Sequence, residues 1–99
     1  MKLNIQSIHF NADQKLLDFI QEKTDKLDRY FDGIIGGDVI LKLDKSSSSE
    51  NKVAEIKVKI RGNDLFVKKQ CKTFEEAIDL ATEALSKQVK KYKEKTKHL

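Results

Sequence analysis

The sequence predicts an α+β two-layer sandwich of order β-α-β-β-β-α, and three observations predict it. Apolar and polar residues alternate in four short stretches. They recur at helical spacing in two longer ones. The 99 residues contain no proline to interrupt any of the six. A strand–helix–strand unit crosses over right-handed and leaves two parallel strands. Two antiparallel strands and a second helix follow, so both helices cover one face of a four-stranded mixed sheet. Residues 1–99 are expected to form a single domain, long enough to bury one core without disulfide staples.

The first strand is expected over about residues 2–9. Leu3 and Ile5 alternate with polar neighbours, and Ile8 and Phe10 continue on the other parity, which implies a kink near Ser7. Asn11 with Gln14 forms a candidate capping box for a helix running to about Phe31. Leu16, Leu17, Phe19, Ile20, Leu27, Tyr30 and Phe31 share one face of it, and Gly33 is read as its stop. Asp38 to Asp44 reads as a strand, followed by a polar hairpin loop, Lys45–Asn51, with four consecutive serines. In Val53–Arg61, Ala54, Ile56, Val58 and Ile60 face one way and Glu55, Lys57, Lys59 and Arg61 the other, the pattern of a sheet with one wet face. Gly62-Asn63-Asp64 makes a turn into a strand over Leu65–Cys71. Thr73 and Glu76 form a second capping box, and Phe74, Ala77, Ile78, Ala81, Leu85, Val89 and Tyr92 trace the buried line of the last helix.

Composition excludes several classes of function. No run of 18 apolar residues is present, and Met1–Gln6 alternates where a signal peptide would be continuously apolar. The expectation is a cytoplasmic protein without membrane contact. Cys71 is the single cysteine, so neither an internal disulfide nor a multi-cysteine metal site can form. His9 and His98 lie at opposite ends of the chain, and a Cys71–His9 pair has no third partner. Gly36-Gly37 lacks the spacing and lysine of a phosphate loop. No catalytic residue, metal ligand, cofactor or small-molecule substrate is therefore assigned.

The net charge of +4 conceals a sharper distribution. Residues 87–99 hold six lysines against one acid, whereas the other 86 residues hold 14 basic and 15 acidic groups. Lysines at a helix C-terminus also favour the negative pole of its macrodipole, which accounts for two or three of them but not six. Lys87, Lys91 and Lys95 are spaced i, i+4, i+8 and form a stripe; Lys90, Lys93 and Lys97 take the opposite flank. On the first helix Lys23 falls about 20° from Leu16, inside the apolar sector, with Lys26 on the adjacent edge beside Tyr30. Lys23 either snorkels past the core edge or, with Lys26 and Tyr30, faces a groove shared with the last helix. Two parallel basic edges would make a channel for a nucleic-acid backbone. Lys57, Lys59 and Arg61 on the wet sheet face are a weaker signal: outward cations are ordinary there, and contact with RNA is the lesser alternative.

Three segments carry a family resemblance. They are Lys26-Leu27-Asp28-Arg29-Tyr30-Phe31-Asp32, Val39-Ile40-Leu41-Lys42-Leu43, and Ala77-Ile78-Asp79 followed by Leu85 and Lys87-Gln88-Val89-Lys90-Lys91-Tyr92-Lys93. In this order the chain resembles the ribosome hibernation-promoting factors, also called ribosome-associated inhibitor or sigma-54 modulation proteins. The resemblance implies a domain shaped like double-stranded RNA-binding domains. It implies binding to ribosomal RNA of the small subunit, where messenger and transfer RNA would lie, without enzymatic activity, by a protein that is monomeric off the ribosome. The positions it brings to that contact are Lys23, Lys26, Arg29, Lys87, Lys91, Lys93 and Lys95; Tyr30, from the groove reading, and Lys90, from the basic flank of the last helix, complete the expected contact set. Ala84 and Gly33 stand where relatives often carry lysine and arginine. With no segment here for a C-terminal dimerisation domain, the chain looks like the short form. Two other readings compete: a stand-alone double-stranded RNA-binding module, and a protein-interaction regulator of transcription.

Overall fold

The computed structural model describes residues 1–46 and 49–97; Ser47 and Ser48 of the serine run, His98, Leu99 and the side chains of Thr96 and Lys97 fall outside the described part. Six elements follow in order: β1 (Leu3–Ser7), α1 (Gln14–Asp28), β2 (Ile34–Leu43), β3 (Lys52–Ile60), β4 (Asn63–Cys71) and α2 (Phe74–Lys97). The sheet order is β1-β2-β3-β4, with β1 parallel to β2 and the other pairs antiparallel. This is the α+β architecture that the alternation and helical spacing predict.

β1 ends at Ser7, and the irregularity comes two residues later than expected, at His9, whose φ of 65° lies in the left-handed region. The α1 cap also sits further along. Asp13, not Asn11, accepts from the Leu16 amide at 2.9 Å, while the Gln14 side chain donates to Asp18. The helix closes earlier than Phe31. The Arg29 and Tyr30 amides donate to Lys26 and Leu27 carbonyls, tightening the last turn. Gly33 has no positive φ and is not a left-handed stop. A Cβ there would lie 2.5 Å from the Phe31 ring, so glycine makes room for a ring that packs edge-on against Tyr92.

β2 begins four residues before the expected Asp38. Gly36 and Gly37 belong to it because other backbone and side-chain atoms come close: their Cβ atoms would meet the Lys2 carbonyl at 3.0 Å and Leu3 and the Lys57 carbonyl at 3.1 Å. Between Ile34 and Gly36 the register shifts, which turns Ile35 outward as a bulge. The β3–β4 turn is only Arg61-Gly62, with Gly62 at φ 82° and Ile60 opposite Asn63. At the start of α2 the Glu76 amide donates to Thr73 Oγ1 at 3.1 Å, as the capping box predicts.

One core joins the two layers. Ile20 and Leu27 of α1 meet Val39, Leu41, Ala54, Ile56 and Val58 of the sheet and Ala77, Ile78, Ala81, Leu85 and Val89 of α2. Two buried threonines belong to the same layer: the Thr24 and Thr82 hydroxyls donate to the Ile20 and Ile78 carbonyls, each at 2.9 Å. On the opposite face, cations and acids pair diagonally across strands: Lys42–Glu55 at 2.7 Å, Lys59–Asp38 at 3.2 Å and Lys57–Asp64 at 3.4 Å.

Candidate nucleic-acid interface

The two helices lie side by side on the sheet, so the outer flanks of α1 and α2 decide which charges meet. At 100° per residue, Asp79, Thr82, Glu83, Ser86, Lys90 and Lys93 fall on the α2 flank that turns toward α1. The wall facing Lys23 and Lys26 is therefore mixed. Lys23, Lys26, Leu27 and Tyr30 line a hollow of about 250 Å³ with Asp79, Thr82, Glu83 and Ser86. Lys23 is half-buried and bridges the helices: its Nζ lies 2.9 Å from Asp79 Oδ1 and 5.4 Å from the Phe19 ring centroid. The Asp79 carboxylate beside it lifts the Lys23 ammonium above the usual lysine range. Lys23 thus sits beside the Phe19 ring and lines the seam hollow, with its head held by a carboxylate of α2.

The basic end of the groove comes one to two turns later. Lys90 Nζ lies 5.8 Å from the centroid of the Tyr30 ring, and Lys93 Nζ donates to the Tyr30 carbonyl at 3.2 Å. Arg29, Tyr30, Phe31, Asp32, Gly33 and Lys93 surround a second hollow of about 310 Å³. The stripe goes elsewhere. Lys91 and Lys95 border a hollow of about 220 Å³ with Asn63, Leu65, Gln88 and Tyr92, on the β4 side of α2. Lys87 is exposed on the outer side between the two flanks. Of the nine expected contact residues, the structure gathers Lys23, Lys26, Arg29, Tyr30, Lys90 and Lys93 along the α1–α2 seam. Lys91 and Lys95 lie across α2 from that seam.

Asp79 and Glu83 were missed as groove residues, although their i, i+4 spacing and their phase with Lys90 were available in the sequence. Tyr92 holds α2 to the sheet, with its hydroxyl donating to the Arg61 carbonyl at 3.3 Å, and Gln88 donates to the Phe66 carbonyl at 3.2 Å. Cys71 is buried; burial, with Glu76 and Glu50 nearby, pushes its thiol up, the opposite of an activated nucleophile. Among the described residues no cluster of three or more His, Cys, Asp or Glu is placed to hold a metal ion, and no helix is long and apolar enough to cross a membrane.

Fold and site define a two-layer β-α-β-β-β-α domain with its unbalanced positive charge gathered at one end of the helical layer. The chain belongs to the family described as Sigma 54 modulation protein / S30EA ribosomal protein, whose profile matches residues 3–97. It is 32% identical over 99 residues to the ribosome hibernation promoting factor of Pseudomonas putida, covering all of this chain and 93% of that protein. It is 34% identical over 97 residues to the ribosome hibernation promotion factor of Bacillus subtilis, covering 96% of this chain and 50% of that protein. The crystal structure of the Thermus thermophilus Protein Y N-terminal domain superposes with a TM-score of 0.81 at 28% identity, covering 93% of this chain and 99% of that one. A ribosomal subunit interface protein from Coxiella burnetii shares the fold, with a TM-score of 0.80 at 21% identity over 94% of this chain and 98% of that one.

Proposed function

We propose that this protein is a ribosome hibernation factor that binds ribosomal RNA of the small subunit and occupies the channel of messenger and transfer RNA. The observation that carries this reading is the placement of unbalanced charge. On the sheet, Lys42, Lys57 and Lys59 each meet an acid on a neighbouring strand. On α2, Lys87, Lys90, Lys91 and Lys95 are exposed, and Glu94 is the single acid between Lys87 and Lys95. Such a surface binds phosphates and releases their counterions, a gain that needs no cofactor and no covalent step. A rigid domain held there acts by excluding the RNAs that share the space, and the RNA is recognised mainly through backbone and shape.

Filter binding to purified small subunits at several salt concentrations tests this. Changing Lys87, Lys91 and Lys95 to Gln weakens binding and flattens its salt dependence by about two to three units of slope, at roughly 0.7–0.9 per lost phosphate contact. Gln keeps helix propensity, and circular dichroism confirms folding. Changing Lys57, Lys59 and Arg61 to Gln removes the same formal charge and costs much less, because what is lost acts only at long range and is screened beyond about 8 Å at physiological salt. Equal losses from both triples would show that only net charge matters. Equal affinity for free duplex RNA would show a general RNA-binding module, and undisturbed initiator transfer RNA on the saturated subunit would place the contact outside the channel.

A further inference from the structure

Among the described residues of the helical layer, Tyr30 is an aromatic left largely exposed and outside the core. The other tyrosine, Tyr92, is half-buried, packs edge-on against Phe31 at 5.5 Å and spends its hydroxyl on a backbone carbonyl. Tyr30 is 46% exposed, and among the described residues its hydroxyl has no hydrogen-bond partner. Yet its backbone is held firmly. Its amide donates to the Leu27 carbonyl at 3.1 Å, its carbonyl accepts from Lys93, and the next residue is clamped against Tyr92. Tyr30 is among the residues lining both seam hollows, that of Lys23 and Lys26 and that of Arg29 and Lys93, and Lys90 Nζ sits over one face of its ring at 5.8 Å, leaving the other face for a base. An exposed ring on an immobilised backbone, with cations nearby, has the composition of a base-stacking platform: a π-face for the base and ammonium or guanidinium groups for its flanking phosphates. A tyrosine side chain has only two torsions to fix, so little entropy opposes stacking.

The geometry points to Tyr30 as the seat of one unpaired nucleobase, stacked on its ring, with the adjoining phosphates against Lys90 and Arg29. This assignment rests on RNA being the partner and adds a specificity to it. Bases within an A-form duplex are stacked on one another and offer no free face, so the seam end engages a single-stranded or bulged nucleotide while the α2 flank lies against backbone.

Binding of Tyr30→Ala, Tyr30→Phe and Lys90→Gln to purified small ribosomal subunits across a salt series separates the outcomes. Tyr30→Ala is expected to lose about ten- to a hundredfold in affinity at every salt concentration, giving a line parallel to wild type, because stacking releases no counterions. Tyr30→Phe is expected to retain wild-type affinity. Lys90→Gln is expected to flatten the slope by about one unit. Acylation of ribosomal RNA 2′-hydroxyls should show one nucleotide that wild type and Tyr30→Phe immobilise and Tyr30→Ala leaves reactive. Thermal unfolding confirms that the variants are folded. Wild-type affinity for Tyr30→Ala, or an equal loss for Tyr30→Phe, would overturn the stacking assignment while leaving ribosome binding in place. Failure of the unaltered protein to bind subunits would instead remove the reading on which the assignment rests.

Discussion

Lys23 and Asp79 face each other across the helix seam at 2.9 Å, and the pair sets what Lys23 can offer a phosphate. An incoming phosphate must compete with a carboxylate already in place. Asp79→Asn is therefore expected to strengthen binding to small subunits about two- to fivefold, the range spanned by exposed ion pairs, with little change in Tm. Lys23→Gln should cost less in the unaltered protein than in the Asp79→Asn background, and a double-mutant cycle measures the difference. A loss from Asp79→Asn would mean that the pair positions Lys23 for contact. At this scale the sequence is legible for composition but not for partners. Helical phase places Lys23 at the core edge, but its partner lies on another element, and only packing brings the two together. Thr24 was missed for a related reason: a polar type reads as surface unless its hydroxyl is known to return to its own helix backbone.

The hairpin joining β2 to β3 shows how an element end is fixed by polar contacts that composition conceals. Asp44 Oδ1 accepts from the Ser46 amide at 3.0 Å and from the Ser46 hydroxyl at 2.6 Å, and Asp44 Oδ2 accepts from Gln70 Nε2 on β4 at 3.0 Å. The Ser46 hydrogen bonds, followed by that from Gln70, hold the Asp44 carboxyl below the usual carboxylate range. A lowered folded-state value stabilises the fold above the unfolded value and is lost as pH falls through it, here below about 4. Asp44→Asn is expected to lower Tm at pH 7 and to flatten its fall as pH drops below about 4, so that the difference from the unaltered protein shrinks with acidification, as followed by circular dichroism. Strand and helix existence was legible throughout, since periodicities of 2 and 3.6 survive any choice of boundary. Boundaries were not. Gly36-Gly37 lacks side chains to alternate, and its place inside β2 shows only in the Lys2 and Lys57 carbonyls it accommodates. The α1 cap shifted from Asn11 to Asp13 because three adjacent residues include two competent caps, and chain direction after β1 chooses between them.

For the molecule as a whole, the order of elements was enough to place both helices on one face, because alternation in β3 marks one face as wet and a helix must bury its stripe on the other. The basic end was equally plain. What the sequence left open was the rotation of α2 about its axis, which sends Lys90 and Lys93 to α1 and Lys91 and Lys95 to β4. The parallel pairing of β1 with β2 has a kinetic meaning as well. β3 and β4 meet through a two-residue turn, so that hairpin closes locally. β1 has no turn to guide it, and residues 8–33 intervene before its partner begins. Folding is expected to start in the β3–β4 hairpin and to seat β1 late. Ile56→Ala, in the centre of β3, should slow folding with a φ-value well above one half. Ile5→Ala should act almost wholly on the unfolding rate, with a φ-value near zero; stopped-flow chevrons give both. The order of synthesis runs the other way, because β1 leaves the ribosome before any of its partners exists. The first strand made is then the last one placed, and until β2 arrives Leu3 and Ile5 have no strand to pair with.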